Sequence, residues 1–409
     1  MSIVVPTSDE DATLAVARFT AELAWAQAGP DIAESQVDRI CLEAETLMQE
    51  GRWSDLLSLL LTSFDLVFAN AQEKDLECVF AVICDLVSRA RSPDEALAMA
   101  DQITIKLSAN PNDKPSVRLK ILFCLYNIVG NPYGKFLIYK RALKLAINGK
   151  VTELMMPSFK RIDSFLKEWN ISAAEKRELY FGMTNILKDV KGSTKESFTF
   201  LVKYLETFAE DDPHTLSEAK DEAVRAIIEF VKSPDMFQCD LLELPAIHQL
   251  QKDAKFASVF ALLEIFLTRR LDAYLEFQAS NSSVLTTYGI SHEECVTKMR
   301  LMSLADLASQ MQEIPYALVQ ETLKVPEEEV EYWIVRGISS KLIDAKMDQM
   351  RRVAIISRCT ERVFGPAQWK DLYSKLAVWR NNVANVVRTV QNARAAGTEI
   401  PQALVGAMH

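Results

Sequence analysis

Apolar side chains recur at three- and four-residue steps through most of the 409 residues, the spacing that gathers them on one face of an α-helix. The pattern predicts helices over about 11–28, 35–50, 53–69, 73–90, 94–108, 116–129, 133–148, 158–169, 173–190 and 194–208, and again over 215–232, 240–252, 256–268 and 271–280. Ser92-Pro93-Asp94-Glu95 and Ser172-Ala173-Ala174-Glu175 each place a serine three residues before a glutamate, so both side chains can satisfy free amides of a first helical turn. Stops are expected at Gly51, Asn110-Pro111, Asn131-Pro132 and Asn148-Gly149. Helix pairs of about 35 to 40 residues suit a solenoid-like helical-repeat array over 1–210. No repeat consensus is readable, so a less regular stack explains the same pattern. Asp211-Asp212-Pro213 is an acidic break, and in the helical block expected over 211–290 Phe256, Val259, Phe260, Leu263 and Leu267 draw one core stripe.

The pattern changes after Ser291. Ser291-His292-Glu293-Glu294 opens a helix to Met311 with Leu301, Leu304, Ala305, Ala308 and Met311 inward, and a short helix follows Pro315. A third begins at Pro326, carries Glu327, Glu328 and Glu329 where they complement the helix dipole, and buries Val330, Trp333, Ile334, Gly337 and Ile338. Beyond Leu342 the period falls to two: Ile343, Ala345 and Met347 alternate with Asp344, Lys346 and Asp348, residues 350–352 turn, and Val353 to Ser357 form a second strand. Three helices and a hairpin over 291–363 make a winged helix. The predicted fold is all-α: a helical array, a winged-helix module with a small β-hairpin, and a long C-terminal helix.

That last helix, expected over 366–396, carries Trp369, Tyr373, Leu376, Val383, Val387 and Val390 at three- and four-residue steps, with Leu372, Trp379 and Val386 recurring every seven residues. At 1.5 Å per residue it spans roughly 45 Å, more than a small winged module covers. Part of the stripe is therefore expected on another chain, the alternative being return onto the helical array in cis. The opposite face is basic, with Lys370, Lys375, Arg380, Arg388 and Arg394 against Asp371, which suits an acidic partner. The tail, 397–409, is expected to be mobile.

Composition narrows the functions. Only 12 glycines occur, too few for most sheet architectures or glycine-rich phosphate loops. The net charge of −10 opposes attraction to phosphate backbones and anionic membranes. No apolar run reaches membrane length, and Met1 to Asp11 lacks the order of a signal peptide. The chain is expected in the cytosol or nucleus. Seven cysteines lie in helical patterns without a C-x-x-C pair, as free buried thiols do in a reducing compartment.

Catalytic and metal constellations are not expected. His214, His248, His292 and His409 have no ligand spacing, and His248 reads as a partly buried helix residue. Gly130-Asn131-Pro132-Tyr133-Gly134-Lys135-Phe136 is one residue short of a phosphate loop, puts Phe136 where a hydroxyl must bind magnesium, and reads as a turn between helices. Neither G-x-S-x-G nor a dinucleotide fingerprint occurs. No cofactor is called for, and the chain is expected not to be an enzyme.

A winged helix also raises nucleic-acid binding, in which the third helix would offer basic side chains to a groove. Here that helix opens with four glutamates, and basic and acidic residues balance over 298–363. Direct RNA binding is therefore not expected. Protein contact through the hairpin edge, Leu342, Ile343, Asp344, Ala345, Lys346 and Met347, is the better assignment; a simply solvated edge is the alternative.

The stretches Arg300–Leu307, Val330–Ile338 and Leu342–Gln349 resemble the PCI-domain family, shared by the proteasome lid, the signalosome and translation initiation factor 3, over about 215–363. Together with Asn131-Pro132, Lys140-Arg141-Ala142-Leu143 and Phe364-Gly365-Pro366-Ala367-Gln368-Trp369, the whole-chain pattern is similar to the initiation factor 3 members. The resemblance implies a non-catalytic, cytoplasmic scaffold subunit that contacts other PCI-domain subunits and reaches the small ribosomal subunit through the complex. A lid or signalosome scaffold subunit and a winged-helix nucleic-acid adaptor remain the alternatives.

Overall fold

The structure, a computed structural model, describes residues 11–25, 30–188, 190, 193–208, 213–363 and 365–395. Its chain divides into two compact units between Thr207 and Phe208, close to the expected break at 211, of which Asp211 and Asp212 lie outside the described residues, as does the tail 397–409.

The first unit holds α1 (Ala12–Trp25), α2 (Pro30–Gln49), α3 (Trp53–Thr62), α4 (Phe64–Asn70), α5 (Glu73–Asp85), α6 (Pro93–Ser108), α7 (Pro115–Ile128), α8 (Pro132–Asn148), α9 (Met156–Phe159), α10 (Ile162–Trp169), α11 (Ala173–Lys188) and α12 (Thr194–Glu206). Helices pack on near neighbours in the chain, α1 on α2, α5 on α7, α7 on α8 and α11 on α12. The helix expected over 53–69 breaks at Ser63, which lets Phe64 and Phe68 turn inward to meet Phe80 at ring separations of 5.3 and 5.2 Å. Arg118 from α7 fills the same core. Only 1% exposed, its guanidinium lies 4.1 Å from the Phe68 ring and donates to the carbonyls of Asp113 and Leu107 and to the Asp113 carboxylate. A buried cation is tolerated only when its N–H groups find acceptors in this way.

The capping signals are physical. Glu95 N donates to Ser92 Oγ, and Ser172 and Glu175 close a reciprocal box, each backbone amide donating to the other's side chain. Asn131 caps α8 by accepting from Gly134 N, so Gly130–Phe136 is an interhelical turn running into a helix. Gly51 takes a φ of +67°, whereas at Asn148-Gly149 it is Lys150 that goes left-handed. Gly149 is needed for closeness instead: a Cβ there would sit 2.7 Å from Pro115 Cβ and 2.8 Å from the Pro111 carbonyl.

The second unit holds α13 (Pro213–Glu218), α14 (Lys220–Lys232), α15 (Pro245–Gln251), α16 (Ala257–Thr268), α17 (Leu271–Thr287), α18 (His292–Gln310), β1 (Glu313–Pro315), α19 (Tyr316–Leu323), α20 (Val330–Ser339), β2 (Ile343–Asp348), β3 (Val353–Cys359) and α21 (Pro366–Ala395). The expected stripe Phe256, Val259, Phe260, Leu263 and Leu267 is buried throughout. Helix α17 runs past the expected end at 280 by kinking at Asn281. Lys298 of α18 is buried, lies over the Phe230 ring and donates to the carbonyls of Phe230 and Ser233 at the end of α14. Burial pushes its ammonium down to about 7, while those carbonyls and the ring face favour the charge.

Around the winged helix, α18, α19 and α20 pack on an antiparallel sheet of order β1-β3-β2. The strand at Glu313–Pro315 was not expected: three residues are too short for a period of two to show, and pairing with Val353–Ile355 creates it. Three further expectations are corrected. Met311 lies beyond the end of α18 and is exposed, because α18 ends at Gln310. Glu327–Glu329 form a tight 3₁₀ turn before α20. Ile338 is only half-buried, since α20 meets α18 mainly along Val330, Trp333, Ile334 and Gly337, where Leu304 and Ile343 press against the glycine.

Candidate partner-binding surfaces

The hairpin edge is built by β2, which has β3 on one side and no strand on the other among the described residues. Pairing runs from Ile343 opposite Cys359 to Asp348 opposite Val353, with a bulge between Asp344 and Ala345. The six edge residues divide into two groups. Leu342 and Ile343 are buried in the winged-helix core, so their side chains offer nothing to a partner, and the Leu342 backbone is itself engaged, its N–H donating to the Gly337 carbonyl and its carbonyl accepting from Thr360 N. Asp344, Lys346 and Met347 are exposed and Ala345 half-buried. A bulge and alternating charges are devices by which edge strands resist pairing, and they weigh toward the solvated alternative.

The terminal helix is different. α21 is 30 residues long and begins at a cap in which Gly365 N donates to Gln368 Oε1. Pro366 stands at its first position, where a missing N–H costs nothing. Beyond its first turns no described element packs along it. Trp369, Leu372, Tyr373, Leu376, Trp379, Val383, Val386 and Val387 are all exposed, Tyr373 at 71% and Trp379 at 68%; Val390 is half-buried. The structure thus leaves the predicted stripe on one open surface, and Val378, 60% exposed, lies on the other side of the helix. Contiguous apolar surface of this extent is uncommon on a protein that stands alone in water.

Two clefts lie at the foot of the helix. One, of about 620 Å³, is bounded by Gln312 after α18, by Ile356–Cys359 of β3 and by Asp371, Leu372 and Lys375 of α21. The other, of about 340 Å³, is bounded by Thr268, Asp306, Gln310 and Arg362. Arg362, which spacing did not flag, is 7% exposed and bonds across 56 to 96 residues of chain; no local pattern could have found it.

Titratable side chains gather nowhere in a catalytic arrangement among the described residues. His248 is exposed and not partly buried as expected, because it stands on the outer side of the last turn of α15, 6.1 Å from the Phe260 ring. His292 stacks on Tyr274, with Nδ1 and the hydroxyl 3.1 Å apart. No three His, Cys, Asp or Glu side chains among the described residues are grouped to hold a metal. The cysteines are free, but not uniformly buried as expected: Cys84, Cys239 and Cys295 are buried while Cys78 is exposed. No described helix is long and apolar enough to cross a membrane.

Residues 278–358 match the family model of the PCI domain, from within α17 to β3, and residues 362–390 match a model described as eIF3 subunit M, C-terminal helix. A Dictyostelium discoideum protein named eukaryotic translation initiation factor 3 subunit M is 34% identical over 357 residues, 86% of this chain and 88% of that protein. The chain belongs to the eukaryotic translation initiation factor 3 subunit M family. Proteins of the same name from Phaeosphaeria nodorum, 27% identical over 86% of this chain and 81% of theirs, and Homo sapiens, 27% identical over 78% and 84%, extend the family to fungi and animals. That a model is specific to α21 in this family sets the exposed helix apart from the PCI module, whose model stops at 358.

Proposed function

We propose that the chain is a non-catalytic scaffold subunit of the eukaryotic translation initiation factor 3 complex, working in the cytoplasm to hold the complex together and so support initiation on the small ribosomal subunit. The observation that carries this reading is α21: two tryptophans, a tyrosine, two leucines and several valines exposed along one helix, in a segment matched by the subunit M helix model. Free in water such a surface is costly, and aromatic anchors of this kind dominate interface energies. Other PCI-domain subunits are the expected partners, through helices that bundle on this stripe. The basic side chains of α21, Lys370, Lys375, Arg380, Arg388 and Arg394, are spread around the helix and not confined to the face opposite the stripe, and they steer it toward acidic neighbours.

Within this reading residues 1–210 serve as the helical array, 211–290 and 291–363 as the two halves of the PCI domain, and 366–396 as the bundling helix. The winged-helix edge at 342–347 is the weaker candidate for a second contact, through the exposed Asp344, Lys346 and Met347, since its bulge and charges resist strand addition. The family names favour the initiation factor over the proteasome lid or the signalosome. Nucleic-acid recognition by α20 is disfavoured by its acidic approach, where Glu329 accepts from Trp333 Nε1 and Glu331 from Gln349. Removing 366–395 is expected to leave circular dichroism and melting of the remainder unchanged while the chain no longer co-purifies with other initiation factor 3 subunits. Co-purification at the wild-type level would overturn the proposal.

A further inference from the structure

The helix that carries the exposed stripe has little to hold its direction. Beyond its first turns nothing described packs along α21, so the course of the helix is set where the chain leaves β3, in the linker after Cys359, of which 360–363 and 365 are described. Among those described side chains the buried one is charged. Arg362 donates through Nη1 to the carbonyls of Phe266 and Arg269, at 3.3 and 2.6 Å, and through Nη2 to Asp306 Oδ1 at 2.8 Å. Those carbonyls end α16, where a cation is favoured, and Asp306 belongs to α18. The other oxygen of Asp306 accepts from Arg270 Nε at 2.6 Å and from Gln310 Nε2 at 3.3 Å, and Arg270 holds Gln310 in turn. Burial lowers the pKa of Arg362, against the pull of Asp306. A guanidinium taken out of water in a linker, and met by acceptors from two helices of the same unit, specifies a geometry rather than adding stability.

We propose that Arg362 and Asp306 form a clamp that fixes the angle at which α21 leaves the winged helix, so that the stripe is presented to its partner already oriented. This rests on α21 being the assembly helix. Arg362 is a positioning residue: it acts through the linker and touches no partner. A helix free to swing would lose orientational freedom on binding that the clamped helix has already lost, so loss of the clamp should weaken assembly about tenfold, in the range ascribed to preorganisation.

The test uses the full chain with spin labels on non-natural residues at Glu276 of α17 and Asn385 of α21, both exposed, which leaves the seven cysteines untouched. The expected result is one narrow distance distribution in the wild type, a broad one in Arg362→Met and in Asp306→Asn, and weaker co-assembly for both. Lys220→Met, which breaks an ion pair with Asp253 elsewhere in the unit, controls for general destabilisation and should keep the distribution narrow. A narrow distribution in Arg362→Met, or a broad one in the wild type, overturns the clamp whatever happens to assembly. Assembly that survives deletion of 366–395 defeats instead the reading of α21, and leaves the distances to judge the clamp alone. Should Arg362→Met fail to fold, Asp306→Asn, which keeps the shape and removes the charge, decides the matter.

Discussion

Helices α20 and α21 carry apolar stripes of the same period, and the structure treats them oppositely. In α20, Val330, Trp333, Ile334 and Gly337 are buried against α18 and β2. In α21, Trp369, Tyr373, Leu376, Trp379 and Val383 stand in solvent. Length accounts for the difference: α20 has 10 residues and its module can cover all of them, whereas α21 has 30, about 45 Å of helix at 1.5 Å per residue. An amphipathic stripe therefore reports that a helix is covered somewhere, and the size of what lies beside it decides whether the cover is its own chain.

Four measurements test this contrast. The largest effect is expected from changing Leu376, Val383 and Val387 together to Asp: charge in an apolar seam is costly enough to abolish co-purification with partner subunits, while the free chain melts as the wild type does. Global unfolding of this variant would show that the stripe is covered in cis after all. Next is Ile334→Asp in α20, fully buried, where an unpaired carboxylate should cost at least the ~3–5 kcal/mol typical of severe core substitutions; urea denaturation of the free chain measures it. Trp379→Ala should weaken binding by about 2 kcal/mol, a hot-spot value, with no change in the denaturation midpoint, as titration against a partner subunit would show.

The smallest effect is a pH dependence. Because burial depresses Lys298 to about 7 in the folded chain and the unfolded lysine titrates near 10.4, the unfolded state binds more protons between those values. Stability contributed at this site thus rises with pH from 7 toward 10. The difference between Lys298→Met and the wild type should shift in favour of the wild type over that window, by less than burial alone would produce because the Phe230 and Ser233 carbonyls favour the charge. Lys375→Met in α21, an exposed lysine paired with Asp371, should produce no such shift. Chemical denaturation at pH 7 and pH 10 distinguishes the two.

The helical order, the capping boxes at Ser92 and Ser172, the winged-helix hairpin and the terminal stripe were legible because each is a local matter of period and capping within a few residues. The hydrophobic pattern of 366–390 alone also gave the expectation that this face is covered by another surface. Other features depended on residues far apart in the chain. β1 exists because Val353–Ile355 return to pair with it. Leu342 and Ile343 read as an edge, yet their side chains close the core under Gly337, so the edge offers less than its alternation suggested. Cys78 and His248 proved exposed, since a position on a helix says little until the packed side is known.

Propensity, capping and periodicity act over one or two turns, so most helical segments, several of their starts and the amphipathic pattern of the last were readable along the chain, whereas the break at Ser63 and the start of α20 at Val330 were not. Tertiary packing settled which stripe was consumed by the fold and which was left over, and how the leftover helix is held. Arg362 meets Asp306 and the end of α16 across 56 to 96 residues of chain, and burial of that kind depends on which surfaces meet in space, which no local spacing encodes.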